Sequence, residues 1–343
     1  MSGVRAEAQL ALPGVAVEPE ATEVEWVWTE DPLEDSVQQD FAHVTVMLHE
    51  VVDSVVQDSE ATGIFVDATL GGGGHTRAML EKAKGIRVIA FDRDDVALAA
   101  AKKNLEEFGD RVTFVKSNFG RVREALAELG IEKVQGLCAD LGVSSPQLDE
   151  ASRGMSFRRE GPIDMRMDQS SGETALDLIE RLSDEELADV IFRYGDERRS
   201  RRIARSVKRA FTDGELVTTL DLRRSVVRAV GPQRVGGVDP ATRTFQALRI
   251  KVNEELAELE ALLAALPEIL DEGAVAAILS FHSHEDRLVK RAFVTDAFSP
   301  LTKKPRMAAE EECSENPRSR SAKLRAARFS AVLFDRESEE DLS

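Results

Sequence analysis

The sequence has little cysteine: Cys138 and Cys313 are the only two among 343 residues. Two cysteines exclude the disulfide framework of a small secreted domain and a zinc site with several cysteine ligands. No stretch contains the roughly 20 consecutive apolar residues that a membrane-spanning helix needs. The N-terminus also lacks a basic segment followed by an apolar run, the pattern of a secretory signal. These absences predict a cytoplasmic protein with no membrane partner.

Negative charge is concentrated at the two ends of the chain. The whole sequence carries a net charge of −18, but residues 1–40 hold ten acidic residues and one arginine. Residues 335–343 hold five acidic residues and one arginine, so the remainder is only mildly acidic. Because low hydrophobicity with high net charge cannot offset the entropy of ordering, we expect a disordered extension at 1–40 and an acidic tail at 335–343. The overall acidity is therefore weak evidence against a nucleic-acid partner.

Short apolar runs alternate with helical patterns in the first part of the body. The runs predicted as buried strands are Ile64–Asp67, Val88–Asp92, Val112–Val115 and Val134–Asp140. The segments predicted as intervening helices are His75–Lys84, Asp95–Phe108 and Arg121–Leu129. Such alternation is typical of a parallel sheet with right-handed crossovers, so the sequence predicts a doubly wound α/β domain.

The pattern changes after Ser145-Pro146. Residues 151–238 contain helical patterns and no clear strand, among them a capping box formed by Ser183 and Glu186. After Asp239-Pro240 the apolar spacing predicts one long amphipathic helix, with apolar positions at Phe245, Leu248, Val252, Leu256, Leu259, Leu263 and Leu266. A strand at Ala274–Phe281 then resumes the sheet. We therefore predict a helical insert at 151–238 within a discontinuous domain formed by residues 41–150 and 239–334.

A glycine-rich loop follows the first predicted strand. Asp67 ends that strand and precedes the glycines at Gly71 to Gly74. Glycines let the backbone pass close to a ligand, but a dinucleotide fingerprint would place glycines, and no acid, directly after the strand. A carboxylate suits an ammonium group and repels phosphate. The loop therefore favours a cofactor with a cationic amino-acid end, such as S-adenosylmethionine.

Three further strand ends carry side chains suited to the same cofactor. Asp92 ends the second strand, where doubly wound folds hold ribose hydroxyls. Phe119 follows the third strand, where an aromatic ring packs on adenine, and Asp140 ends the fourth. Each residue alone has an ordinary structural explanation: a turn for Asp92, the core for Phe119, a helix cap for Asp140. Their order at successive strand ends favours the cofactor site.

Longer motifs resemble the bacterial 16S rRNA (cytosine-N(4))-methyltransferase family between His43 and Phe329. The matching runs are His43–Glu50, Gly71–His75, Asp140–Gln147, Gly161–Asp168, Pro240–Ile250, Ser280–Ser283 and Glu315–Ser321. The resemblance implies a Rossmann-like S-adenosylmethionine-dependent methyltransferase with an inserted all-helical domain. It also implies methylation of a cytosine amino group in the decoding region of 16S rRNA, within the small ribosomal subunit.

The resemblance assigns most of the cofactor contacts. The contacts that it implies are Gly73, Gly74, His75, Asp92, Phe119, Asp140 and Gln147. The glycine-rich loop itself adds Asp67 and Gly71 as candidates for cofactor binding. For catalysis we expect Asp140, helped by Ser144, to accept a proton from the target amine. We expect His282 to orient the substrate. His282 and His284 beside Glu285 and Asp286 also suggest a metal, but the reaction needs no Lewis acid, so we expect none.

Two basic clusters, Arg193–Arg209 and Leu301–Phe329, suggest contacts with RNA phosphates. The candidate RNA-binding residues are Arg166, Arg199, Arg202, Arg243, Arg249, Arg318 and Arg320. Charge runs more often form ordinary solvated helix faces, and only the resemblance favours the RNA interpretation. Two alternatives stay open: a methyltransferase with a small-molecule, DNA or protein substrate, and a non-catalytic ribosome-assembly factor.

Deletion of residues 1–40 is predicted to leave methyl transfer intact, because the acidic extension lies outside the motifs. Turnover of the truncated protein, compared with that of the full chain, tests this directly. A large loss of turnover would assign the extension a role in catalysis.

Overall fold

A computed structural model of the chain describes residues 45–232 and 238–331. The expected disordered extension at 1–40 and the acidic tail at 335–343 both lie outside the described residues. Within the two described ranges, no helix is long and apolar enough to cross a membrane.

The centre of the fold is one sheet of eight strands. The strands are β1 Thr62–Asp67, β2 Gly85–Asp92, β3 Val112–Lys116, β4 Val134–Asp140, β5 Leu270–Ser280, β6 Phe298–Pro300, β7 Arg306–Met307 and β8 Lys323–Phe329. Their order is β3-β2-β1-β4-β5-β8-β6, and β7 pairs with β8. Neighbours among β1 to β5 are parallel, whereas β8 runs antiparallel to β5. The predicted parallel α/β sheet is confirmed, and the antiparallel edge is an addition to it.

Helices cover both faces of this sheet and form the inserted module. They are α1 Leu48–Val55, α2 Gly74–Lys82, α3 Asp95–Asn104, α4 Val122–Glu128, α5 Ser145–Asp149, α6 Ala175–Arg181, α7 Asp184–Gly195, α8 Ser200–Thr212, α9 Thr219–Val230, α10 Thr242–Asn253, α11 Glu255–Ile269, α12 Ser283–Ala292 and α13 Glu310–Glu315. One buried cluster joins the sheet to α4, α11 and α12, and a second joins it to α1, α2 and α3. This two-sided burial explains why the strands are nearly continuous apolar runs.

Helices α6 to α9 have a hydrophobic core of their own. Their buried residues, among them Ile179, Ile191 and Ile203, form a third cluster that also includes Phe245 and Leu248 of α10. The predicted capping box of Ser183 and Glu186 is present at the start of α7. Because α10 contributes to this core, the packing of the helical module extends beyond the 151–238 segment expected from sequence.

The single long helix predicted after Asp239-Pro240 is wrong. The structure has two helices, α10 and α11, which are separated at Glu254 in the left-handed conformation with φ 52°. The buried amide of Asn253 accepts a hydrogen bond from Met167 N (2.8 Å) and donates to Met165 O (2.7 Å). These hydrogen bonds hold the end of α10, where the helix breaks, against residues of the insert. The apolar spacing continues across Glu254, so the pattern alone could not show the break.

Replacement of Asn253 by alanine is predicted to lower the free energy of unfolding by about 2–4 kcal/mol, because two buried backbone groups lose their partner. Urea denaturation followed by circular dichroism measures this. The control is Asn104→Ala, which removes a single exposed hydrogen bond to Gly72 O and should cost under about 1 kcal/mol. Equal losses in the two variants would contradict the role given to Asn253.

Candidate active site

A crevice lies at the carboxyl edge of the sheet, where parallel α/β folds bind ligands. Its walls come from the loops that follow β1 to β5, with contributions from both ends of the described chain. The residues that line it include Thr45, Val46, Leu70, Gly71, Gly72, Gly74, His75, Asp92, Arg93, Asn118, Phe119, Asp140, Gly142, Ser144, Gln147, Phe281, Asn316 and Arg318. The structure therefore brings together most of the residues that the sequence assigned to one cofactor site.

Asp67, which the sequence assigned to cofactor binding, is not among the residues that line the crevice. Its side chain is buried and accepts hydrogen bonds from Thr76 Oγ1 (2.7 Å) and Thr69 N (3.2 Å). Burial raises the pKa of this carboxyl, although those hydrogen bonds oppose the rise. Asp67 thus links the glycine-rich loop to α2 through hydrogen bonds beneath the crevice wall. It supports the loop and does not itself line the crevice.

Gly73 has a similar supporting position at the start of α2. Its φ of 84° is in the left-handed region, and a Cβ there would lie 2.9 Å from Leu105 Cδ1. Only glycine combines this backbone with this close approach. Gly73 lets the loop turn, whereas Gly71 and Gly74 line the crevice itself. His75 also lines it, with its ring Nε2 3.2 Å from Val46 O.

Asp92 and Phe119 lie at the ends of β2 and β3, as expected. Asp92 accepts a hydrogen bond from Gly71 N (2.9 Å) and one from Asp94 N (2.8 Å). Burial raises its pKa to about 6, with smaller contributions from the charges of Asp94 and Asp67. The carboxylate is held at the crevice wall by two backbone donors, an arrangement suited to accepting ribose hydroxyls.

Asp140 occupies the end of β4, beside the loop that leads to α5. Burial raises the pKa of its carboxyl to about 8, and the negative charges of Asp67 and Glu285 add to the rise. Ser144 begins α5 with a capping box, in which Gln147 Oε1 accepts a hydrogen bond from Ser144 N (3.0 Å). The structure therefore places a carboxyl group that titrates near neutral pH in the crevice next to a helix cap.

Asp94 joins this loop to the insert, a connection that sequence analysis missed. One carboxylate oxygen accepts hydrogen bonds from Gln147 Nε2 (2.9 Å) and from Arg153 (2.5 Å). The other caps α3 by accepting from Val96 N. Arg153 also donates to Met167 O, and its side chain is 4% exposed. Asp94 stands between the second predicted strand and the next predicted helix, and nothing in the sequence pattern indicates a charged partner 59 residues away.

His282, expected to orient the substrate, is not among the residues that line the crevice. It caps α12, where its Nδ1 accepts from Glu285 N, and its Nε2 lies 3.2 Å from Glu285 Oε1. Ligand atoms of Glu255, His282 and Glu285 lie within 4.8 Å of one another, a spacing that a metal could use. Arg249, however, donates to both oxygens of Glu255 at 2.7 and 2.8 Å. Both carboxylate oxygens of Glu255 are thus already paired with a guanidinium.

The candidate RNA-binding arginines differ in how far their side chains are exposed and in which acidic residues they pair with. Arg199, Arg202, Arg243 and Arg320 are exposed, and Arg318 lines the crevice while pairing with Asp149. Arg166 is turned towards Asp164, which accepts two hydrogen bonds from its guanidinium and one from its backbone N–H. Arg249 lies in the interior ion pair with Glu255, where its charge cannot reach a phosphate. Its expected RNA contact is therefore replaced by a structural role.

Binding of S-adenosylmethionine is predicted to tighten as pH rises from 5 to 9, in steps near 6 and 8. The reason is that Asp92, with a pKa of about 6, accepts hydrogen bonds from ribose hydroxyls best as a carboxylate, and Asp140, with a pKa of about 8, attracts the cationic end only when ionised. Isothermal titration calorimetry across this range measures the effect. In the wild-type protein, the upper step should lower Kd roughly tenfold for each pH unit gained below pH 8. The Asp140→Asn variant should lack this step. An unchanged upper step in that variant would assign the step to another group.

Comparison with known proteins shows the family to which this chain belongs. Residues 40–330 match the MraW methylase family. "Ribosomal RNA small subunit methyltransferase H" of Sorangium cellulosum is 63% identical over 287 residues, which is 83% of this chain and 90% of that protein. The protein of the same name from Prochlorococcus marinus (strain NATL1A) is 47% identical over 304 residues, which cover 86% of this chain and 97% of the relative. The chain therefore belongs to the MraW methylase family and is an S-adenosylmethionine-dependent methyltransferase.

Proposed function

We propose that this methyltransferase modifies the exocyclic amino group of a cytosine in the decoding region of 16S rRNA. The names of its relatives support an RNA substrate in the small ribosomal subunit. The motifs at Asp140–Gln147 and Ser280–Ser283 support the cytosine amine as the acceptor. The observation that carries the proposal is the position of Asp140, a carboxyl group with a raised pKa at the reaction end of the crevice.

The residues at the crevice wall fit S-adenosylmethionine, which supplies an electrophilic methyl group when bound. Asp92 offers carboxylate oxygens for ribose hydroxyls, and Phe119 offers an aromatic face for adenine. Backbone at Gly71 and Gly74 permits a close approach, and Asp140, when ionised, provides negative charge for the cationic end. We propose that these residues, with His75 and Gln147, form the cofactor-binding set.

A cytosine amine is a poor nucleophile because its lone pair is delocalised into the ring. A nearby proton acceptor increases the electron density on nitrogen as the N–C bond forms. Asp140 is suited to this task, since a pKa near the working pH balances ionisation against basicity. Ser144 lies four residues further along the same loop and lines the same crevice. We propose that Asp140 accepts the amine proton and that Ser144 helps hold the amine in line.

The insert carries a basic surface suited to RNA. On α8, Arg201, Arg202, Arg205 and Arg209 are exposed, and Arg198 and Arg199 precede them. Positions 201, 205 and 209 repeat every four residues and so share one face of the helix. Phosphate neutralisation by such a face produces salt-dependent affinity. We propose that residues 151–238 dock the RNA while the target base is unstacked into the crevice.

Methyl transfer to small ribosomal subunits tests the proposal. Subunits from a strain that lacks this gene are incubated with the enzyme and radiolabelled S-adenosylmethionine, and the modified nucleotide is mapped. We expect label on the amino nitrogen of one decoding-region cytosine, and a large loss of turnover in Asp140→Asn. Label on a different base or on protein would contradict the proposed cytosine acceptor and would identify a different substrate. Cofactor binding without any transfer to subunits or naked rRNA would favour an assembly factor.

Charge reversal on α8 is predicted to weaken RNA binding selectively. Arg202→Glu combined with Arg205→Glu should raise KM for subunits about tenfold or more and reduce the salt dependence of binding. The Kd of S-adenosylmethionine should stay unchanged, because no residue of α8 is among those that line the crevice. Arg228→Glu, which alters an exposed arginine of α9 paired with Glu215, is the matched control. Similar KM values for the two variants would argue against an RNA-binding role for α8.

A further inference from the structure

Phe281 is the one aromatic side chain of the crevice wall that the cofactor set does not use, among the residues that the structure describes. Phe119 and Phe281 both line the crevice, but they follow different strands. In the sheet order β3-β2-β1-β4-β5, Phe119 follows β3 and Phe281 follows β5. With strands about 4.8 Å apart, four intervals separate these two strand ends by roughly 19 Å.

We propose that Phe281 is the platform on which the flipped target base stacks during methyl transfer. This inference rests on the proposed function, since it requires a nucleobase substrate. The cofactor-binding side chains follow β3, β2, β1 and β4, so the crevice beyond Asp140 on the β5 side is left for the acceptor. Every base has a π-face, and aromatic side chains bind flipped or unpaired bases through it.

The register of β4 and β5 places Phe281 close to the reacting position. Asp140 pairs with Leu279 across the two strands, and Phe281 follows Leu279 by two residues. Gly142 follows Asp140 by the same interval and has a φ of 102°. A Cβ on Gly142 would lie 3.5 Å from Phe281 Cδ2, in contact with the ring edge. Since glycine has no Cβ, residue 142 places no side-chain atom against this edge of the ring.

The backbone at Phe281 is held in place by a buried carboxylate. Glu285 Oε2 accepts hydrogen bonds from Phe281 N (2.8 Å) and His282 N (3.2 Å), and Glu285 is 2% exposed. Burial alone would raise the pKa of Glu285, but His282, the Phe281 amide and Arg249 hold it below its ordinary value. The carboxylate is therefore ionised at neutral pH. The platform is fixed before substrate arrives, which reduces the entropy lost on stacking.

The same loop is joined to the insert that carries the basic surface. Asp196, which directly follows α7, has a carboxylate oxygen 3.3 Å from His284 Nε2 and accepts a hydrogen bond from Ser283 Oγ (3.4 Å). Its backbone oxygen accepts from Arg243 (3.3 Å). The exposed arginines begin two residues later, at Arg198. A nucleotide whose phosphates lie on this surface would thus meet the crevice from the Phe281 side.

The test compares Phe281→Leu with Phe281→Tyr in methyl transfer to small subunits, with cofactor affinity measured separately. Phe281→Leu keeps an apolar side chain for the adjoining core but loses the π-face, so kcat/KM for subunits should fall about tenfold or more. The Kd of S-adenosylmethionine should change less than about twofold. Phe281→Tyr should keep kcat/KM within about threefold of wild type. If Phe281→Leu fails to fold, Phe281→Met takes its place with the same expectations.

Phe119→Leu is the matched control from the other end of the crevice. It should weaken S-adenosylmethionine binding, and its loss in turnover should be recovered at high cofactor concentration. Full activity in folded Phe281→Leu would overturn the platform, as would cofactor weakening equal to that in Phe119→Leu. A tyrosine variant no better than leucine would also overturn it. Wild-type enzyme that methylates no RNA would instead overturn the proposed function, so the two failures are distinguishable.

Discussion

The buried ion pair between Asp94 and Arg153 is the interaction on which the assembled site depends. Both side chains are less than one-tenth exposed, and their closest atoms are 2.5 Å apart. Asp94 also accepts from Gln147 and caps α3, so one carboxylate fixes the loops after β2 and β4 and the start of the insert. Removing one partner of such a buried pair typically costs about 3–5 kcal/mol, because it leaves an uncompensated charge. The cofactor crevice and the helical module are thereby held as one site.

Charge is separated by position rather than balanced overall. The chain carries −18, yet much of the excess lies in its terminal segments, and Asp92, with a pKa of about 6, places further negative charge in the crevice at neutral pH. The exposed arginines of α8 lie on the insert. In the proposed function, a cationic cofactor and a polyanionic RNA would thus meet surfaces of opposite charge within one acidic protein.

Sequence patterns predicted the parts of the fold that repeat locally. Strand bounds around Asp67, Asp92 and Asp140 agree with the structure because buried parallel strands are apolar and end in polar residues. The break at Glu254 could not be predicted, since it depends on the distant backbone of Met165 and Met167. The interior position of Arg249 likewise depends on its ion pair with Glu255. The residue type alone therefore could not predict that this arginine lies inside the protein. Local patterns determine elements, whereas tertiary partners determine which charges face solvent.

We propose that one crevice runs from the cofactor at β3 to the target base at β5. Cryo-electron microscopy of the enzyme on small ribosomal subunits with S-adenosylhomocysteine tests it most directly. We expect adenine beside Phe119, the sulfur nearest Asp140, and a flipped cytosine between Asp140 and Phe281, with phosphates along α8. A cofactor bound in the opposite direction, or a base that enters from the Phe119 side, would contradict it.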